Sequence, residues 1–138
     1  MKKSILYLLS SPFESDTYIY NSVNIEKVKA KPHDIFEQLC LDDLTTLKGR
    51  LDAIKKKYGM RKNIPIYLKP DLVFFRIPID NHELYLNAWM ILNLRAENND
   101  TVIHFKNGTK LLINKNIRFL KRQWQRSLSI IKSNENVY

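Results

Sequence analysis

Short runs of aliphatic and aromatic residues, several of them alternating with polar residues, predict that most of this chain forms β-strands. Three runs lie in the N-terminal third, at residues 5–9, 17–23 and, with a weaker alternation, 25–30, where Pro32 ends the pattern. Five further runs follow Gly59 and are separated by turn-forming residues. They are residues 64–68, 72–77, 84–94, 101–105 and 110–113.

A helical pattern separates the two groups of strands, over residues 43–58. Asp42 or Asp43 can cap the start of this helix, and Gly59 stands where a left-handed residue commonly ends one. The preceding residues 33–41 fit a short helix and a strand equally well. Apolar residues recur every three or four positions and would share one face of the helix. That face consists of Leu44, Leu47, Leu51, Ile54 and Tyr58.

A tight hairpin and a second amphipathic helix are predicted in the last quarter of the chain. Asn107-Gly108 is the strongest short hairpin signal, because both residues accept positive φ. The helix covers residues 115–132, begins after Asn114 or Asn116, and is apolar on one side and cationic on the other. Its apolar face consists of Ile117, Leu120, Trp124, Leu128 and Ile131, and its cationic face of Lys115, Arg118, Arg122 and Arg126.

This order of elements predicts an α+β fold, with a mostly antiparallel sheet and two amphipathic helices at about 43–58 and 115–132. At 138 residues, we expect residues 1–138 to form a single domain. Phe74 and Phe75 are adjacent, so they would point to opposite faces of their strand. The other residues assigned to the core are Leu44, Leu47, Leu51, Trp89, Leu120 and Trp124.

Positive charge is concentrated in two segments of a chain whose formal net charge is +9. Residues 48–69 contain eight basic residues and one acid, and residues 106–132 contain eight basic residues and no acid. Solvated helix faces usually mix both signs, so surfaces of one sign indicate a polyanionic partner, and nucleic acid first. The residues assigned to DNA contact are Lys55, Lys56, Lys57, Arg61, Lys62, Lys115, Arg118, Lys121, Arg122, Gln123 and Arg126. Of these, Gln123 either reaches a base edge or makes a structural hydrogen bond.

Catalytic and metal-binding patterns are weak, so we expect no enzymatic activity, no metal and no cofactor. The three histidines are far apart and lack metal-ligand spacing with the single cysteine, Cys40, which we assign to the core. The chain has no nucleophile elbow and no phosphate-binding glycine loop. No apolar stretch approaches the length of a membrane span. We therefore expect a cytoplasmic protein that does not bind a membrane.

Several motifs, taken in order, resemble the competence transcription factors of Gram-positive bacteria, the ComK family. That family has a basic helix ending at Gly-x-Arg-Lys, a Pro-Ile strand, a double Phe, a Trp-Ile strand, an Asn-Gly hairpin and a basic C-terminal helix. The order and spacing agree from about residue 44 to residue 130. The matching stretches are Tyr58-Gly59-Met60-Arg61-Lys62, Ile64-Pro65-Ile66, Phe74-Phe75, Trp89-Met90-Ile91, His104-Phe105-Lys106-Asn107-Gly108 and residues 119–127.

The resemblance implies an oligomeric transcription factor that binds paired A/T-rich boxes in double-stranded DNA, largely through the minor groove. Narrow A/T minor grooves have an enhanced negative potential that attracts arginine and lysine. Family members are recognised by a proteolytic adaptor through a longer C-terminal tail. This chain stops soon after the helix, which disfavours that adaptor as a partner without removing it from the candidates.

Two other functions fit the same residues. A β-rich DNA-binding domain of the LytTR type has similar basic character and would differ in strand topology. A non-catalytic protein-interaction regulator, such as an inhibitor that forms mixed oligomers with a full-length relative, would bind protein instead of DNA. RNA is a less favoured partner, because no pair of exposed aromatic residues suited to base stacking is evident.

Overall fold

The computed structural model describes residues 4–11 and 13–135, and these residues form two antiparallel sheets and three helices. The larger sheet contains β1 (Ile5–Ser10), β2 (Thr17–Asn21), β3 (Ile25–Val28), β4 (Ile66–Lys69), β5 (Leu72–Ile79) and β6 (His82–Asn87), in the order β3-β2-β1-β6-β5-β4. The smaller sheet contains β7 (Ile91–Glu97), β8 (Asp100–Phe105) and β9 (Lys110–Ile113), in that order. The helices are α1 (Pro32–Asp42), α2 (Leu47–Tyr58) and α3 (Ile117–Glu135). The predicted α+β class is confirmed, and α1 is a helix beyond the two that were predicted.

The six-stranded sheet separates two apolar clusters. On one face, Leu8 and Phe74 pack against α1 and α2, whose buried residues include Phe36 and Cys40. On the other face, Phe75 packs in a larger cluster with side chains from the smaller sheet and from α3. Phe74 and Phe75 are 0% and 1% exposed, so both belong to the core and point to opposite faces as predicted. The sheet therefore places α2 and α3 on opposite sides.

The connection between α1 and α2 corrects two predictions. Helix α2 begins after Thr46, whose Oγ1 accepts a hydrogen bond from the Gly49 N–H at 3.0 Å. Asp42 and Asp43 instead lie at the end of α1 and do not cap α2. Leu44, assigned to the core, is 94% exposed and has a φ of 61°. Leu44 has helical spacing from Leu47 and Leu51 although it lies in the turn before α2. The periodicity therefore wrongly predicted a core role for Leu44 and a helix cap at Asp42 or Asp43.

The strand predicted at residues 84–94 is interrupted by a single 3₁₀ turn, Ala88–Met90, which carries the chain from the larger sheet to the smaller one. Asn87 precedes the turn and is 1% exposed. Its side-chain amide makes four hydrogen bonds to backbone groups, which replace the continuing strand ladder. Its Nδ2 donates to the carbonyls of Ile5 and Asp71, and its Oδ1 accepts from the N–H groups of Val73 and Trp89.

The hairpin between β8 and β9 and the start of α3 lie where they were predicted. Gly108 has a φ of 92°, whereas Asn107 has a negative φ and accepts a hydrogen bond from the Thr109 N–H through its side chain. Helix α3 begins after Asn116, whose Oδ1 accepts a hydrogen bond from the Arg118 N–H at 2.7 Å. Residues 114–116 alone separate the end of β9 from the start of α3.

Candidate nucleic-acid interface

Helix α3 packs on the core through a face that includes polar residues. Of its predicted apolar face, Leu120 and Ile131 are buried, and Ile117, Trp124 and Leu128 are half-buried. The centre of the buried face lies further round the helix, towards residues that the sequence did not assign to the core. These are Gln123, Ser127 and Ile130, which are 4%, 0% and 1% exposed. Ser127 fits there because its hydroxyl donates to the Gln123 carbonyl at 3.0 Å.

Trp124 fixes α3 against the junction of the two sheets. Its ring packs on the larger apolar cluster, and its Nε1 donates to the carbonyl of Ala88 at 3.1 Å. The core role predicted for Trp124 is confirmed. Because the ring is held in this way, the opposite side of α3 faces solvent.

The solvent side of α3 carries cations. Arg118, Lys121 and Arg122 are exposed, and Lys115 is half-buried just before the helix. The Lys115 carbonyl accepts a hydrogen bond from the Thr101 hydroxyl at 2.8 Å, which fixes the backbone there. None of these four cations forms an ion pair with a described carboxylate. Their charge is therefore available to an outside anion.

Arg126 connects this helix to the second predicted group of cations. Its Nη2 donates to the Lys62 carbonyl at 2.9 Å, and its Nη1 donates to the Gln123 Oε1 at 3.1 Å. Gln123 is buried, so its amide acts in this structure as an acceptor that orients Arg126. The loop that carries Arg61 and Lys62 is thereby attached to the side of α3.

The second group of cations lies at the end of α2 and in the loop that follows. Gly59 ends α2 in the left-handed conformation, at φ 66° and ψ 24°. Lys55, Lys56 and Lys57 lie exposed in the last turn, where positive charge complements the helix dipole. Asn63, at φ 52°, redirects the chain after Arg61 and Lys62, which are also exposed.

The ends of α2 and α3 also contact each other. The Tyr58 hydroxyl hydrogen-bonds to the Ser133 hydroxyl and accepts from Asn134 Nδ2 at 3.2 Å. Together with the contact between Arg126 and Lys62, this brings two clusters distant in sequence into one region. We call their ten cations the basic surface. They are Lys55, Lys56, Lys57, Arg61, Lys62, Lys115, Arg118, Lys121, Arg122 and Arg126.

Two other basic residues of α2 have structural partners. Arg50 donates to the carbonyls of Tyr67 and Leu68, at 3.0 and 3.1 Å, and so attaches α2 to β4. Lys48 forms an ion pair with Asp52 at 3.0 Å. The hydrogen bond and charge of Lys48, followed by the charges of Lys55 and Lys56, lower the pKa of the Asp52 carboxyl below its usual value. The positive potential of Lys55 and Lys56 thus acts on Asp52, the only acid among residues 48–69.

Sequence reasoning identified the cations but missed the contacts that join them. The hydrogen bonds from Arg126 to Lys62 and from Asn134 to Tyr58 span 64 and 76 residues. No local pattern encodes such pairs. One signal was available in the sequence. Gln123 and Ser127 are four residues apart and share one side of the helix, and two uncharged polar residues among so many cations indicate a side that does not simply face solvent.

Comparison with known proteins gives a family match over almost the whole chain. The model of the ComK protein family matches residues 3–136. The chain belongs to the ComK family. Comparison with curated proteins and with solved structures finds no match.

Membership in the ComK family indicates the role of a competence transcription factor, in a family of regulators and not of enzymes. No helix in the described part of the chain is both long and apolar enough to cross a membrane. Within residues 4–11 and 13–135, no three His, Cys, Asp or Glu side chains come together in a way that would hold a metal ion.

Proposed function

We propose that this ComK family member regulates transcription by binding double-stranded DNA through its basic surface. The observation that carries the proposal is a group of ten cations, none of them in an ion pair with a described carboxylate, on elements attached to each other by Arg126 and Tyr58. Lysine and arginine contacts to phosphates supply most of the affinity of such proteins. Attachment of the two elements to each other reduces the cost of ordering them on binding.

The size of α3 suits contact with a duplex over several base pairs. Its 19 residues extend about 28 Å at 1.5 Å per residue. That length corresponds to roughly eight base-pair steps at 3.4 Å each. If six cations of the basic surface contact phosphates, the logarithm of the binding constant falls with the logarithm of salt concentration with a slope of about −5.

The preferred DNA in this proposal is A/T-rich and is read largely in the minor groove. Arg118 and Arg122 are exposed, and arginine side chains favour the negative potential of a narrow A/T minor groove. Gln123 is buried beneath Arg126, so in the proposal it positions that arginine and does not read a base. Paired A/T boxes would be bound by two or more copies of the chain in the bacterial cytoplasm.

The test is fluorescence anisotropy of the purified protein with two labelled duplexes of equal length, one containing paired A/T boxes and one rich in G·C. A salt series from about 50 to 200 mM gives the slope for each duplex. We expect tighter binding to the A/T duplex and a steep loss of affinity with salt on both. Binding that is equal, weak and almost independent of salt would contradict the proposal and direct attention to a protein partner.

A further inference from the structure

The β8–β9 hairpin holds a lysine over the face of a tryptophan ring. Lys106 Nζ lies 3.8 Å from the centroid of the Trp89 ring. Lys106 is exposed, and Trp89 is half-buried against the larger apolar cluster, so the pair lies at the surface of the protein. The attraction between an ammonium group and the face of an aromatic ring restricts the long lysine side chain to this position.

This contact positions Lys106 without neutralising it. Lys48, by contrast, is held by the carboxylate of Asp52 at 3.0 Å, and that ion pair cancels its charge. Lys106 forms no ion pair with a carboxylate in the part of the chain that the structure describes. An aromatic ring carries no net charge, so the full positive charge of Lys106 stays available to an anion.

The hairpin is attached to the same short turn as the cationic helix. The Lys106 N–H donates to the Met90 carbonyl at 2.8 Å. Trp124 of α3 donates to the Ala88 carbonyl at 3.1 Å. Ala88 and Met90 belong to one 3₁₀ turn and are two residues apart, which is about 4 Å at 2.0 Å per residue. The hairpin therefore lies close to the middle of α3.

A second cation, Lys110, follows the tip of the hairpin. It is exposed and forms no ion pair with a described carboxylate. Glu97 and Asp100 lie at the other end of the smaller sheet, where β7 turns into β8. Asp100 and Phe105 are the two ends of β8, about 17 Å apart at 3.4 Å per residue. This separation exceeds the Debye length of about 10 Å at 0.1 M salt, so these acids scarcely reduce the positive potential at the hairpin.

We propose that the hairpin, through Lys106 and Lys110, is a second DNA-contacting element that binds backbone phosphates beside those bound by the basic surface. Trp89 is a positioning residue, because it holds the Lys106 ammonium group in place. The inference rests on the proposed function and adds a site outside the cations of α2, α3 and their loops. Each lysine that contacts a phosphate adds about 0.9 to the magnitude of the salt slope.

The first test is fluorescence anisotropy of Lys106→Ala with Lys110→Ala on the A/T duplex, across the same salt series. We expect weaker binding than that of the native protein and a slope smaller in magnitude by about 2, because two phosphate contacts are lost. Lys29→Ala with Lys31→Ala is the matched control and should keep the native slope. These exposed lysines follow β3, at the opposite edge of the larger sheet from β4. Circular dichroism melts check that both variants are folded.

The outcomes of this test distinguish the hairpin contact from the proposed function. A native protein that does not bind DNA would overturn both. Native binding with an unchanged slope in the hairpin variant would overturn the hairpin contact alone. An equal loss of slope in the hairpin and control variants would also overturn it, since the effect would then follow net charge and not position.

The second test is a double-mutant cycle between Trp89 and Lys106. Trp89→Leu removes the ring but no charge, so DNA affinity should fall about threefold, because Lys106 is no longer held. In a chain that already carries Lys106→Ala, the same substitution should cost nothing further. Lys106→Arg keeps both the charge and the ring contact and should bind as the native protein does. An equal cost of Trp89→Leu in both chains would show that the ring acts only through the fold, and would overturn its positioning role.

Discussion

Leu44 shows how much a single residue can depart from its pattern. It continues the apolar spacing of a helix, yet it is 94% exposed in the left-handed conformation. A non-glycine residue in that conformation costs about 1 to 2 kcal/mol, and here no packing offsets the cost. Glycine adopts the same φ without this penalty.

We expect Leu44→Gly to raise the free energy of unfolding by about 1 kcal/mol, measured by urea denaturation. Asn63→Leu is the converse control, because Asn63 also has a positive φ, at 52°, and its replacement should lower stability by a similar amount. A loss of stability in Leu44→Gly would show that the leucine side chain has a packing partner.

Two arginines of α3, four residues apart, differ in what their side chains contact. Arg126 donates to the Lys62 carbonyl and to Gln123, whereas Arg122 is exposed and has no ion-pair partner among the described residues. Helical periodicity placed both on one cationic face and could not distinguish them. Their substitution should therefore affect different properties.

We expect Arg126→Ala to lower the free energy of unfolding by about 1 to 2 kcal/mol, because it removes the hydrogen bond that attaches the loop to α3 and the one to the buried Gln123 amide. Arg122→Ala should change it by less than about 0.5 kcal/mol. Urea titrations of both variants measure the difference. Equal stabilities would mean that the guanidinium of Arg126 is not bonded to the loop in solution.

At the scale of elements, local pattern predicted most strands and the last two helices but not where the chain changes sheets. The β8–β9 hairpin and the start of α3 depend on neighbouring residues, Asn107-Gly108 and Asn116, so they were predictable. The break within residues 84–94 depends on Asn87, whose partners include the carbonyl of Ile5, 82 residues away. The residues next to Asn87 give no sign of a contact so distant in the sequence.

We expect Asn87→Ala to lower the free energy of unfolding by about 2 to 4 kcal/mol, because four backbone groups lose their hydrogen-bond partner in a buried site. Asn93→Ala is the control, since Asn93 is exposed on the next strand and its loss should cost less than about 0.5 kcal/mol. Denaturant unfolding of both variants measures the two changes in the free energy of unfolding. A small effect at Asn87 would mean that other groups can satisfy the same backbone.

At the scale of the whole molecule, sequence predicted two cationic clusters but not that they lie together. Charge runs are visible in the chain, whereas the contacts of Arg126 with Lys62 and of Tyr58 with Asn134 join residues on opposite sides of the larger sheet. The edge strand β4 is short, with four residues, so α2 and α3 can meet around it. The basic surface is therefore formed by tertiary contacts, which the charge runs in the sequence do not reveal.

The central claim is that the basic surface binds DNA. The salt dependence of DNA binding by matched variants tests this claim most directly. Arg118→Ala with Arg122→Ala removes two exposed cations of α3. Lys29→Ala with Lys31→Ala removes the same charge from the chain just after β3, at the opposite edge of the larger sheet from β4. Fluorescence anisotropy with the A/T duplex across a salt series gives the slope for each protein.

We expect the α3 variant to bind more weakly and its slope to be smaller in magnitude by about 2, because two phosphate contacts are lost. The β3 variant should keep the slope of the native protein. If both folded variants gave the native affinity and slope, or if both lost affinity equally, DNA binding through the basic surface would be contradicted.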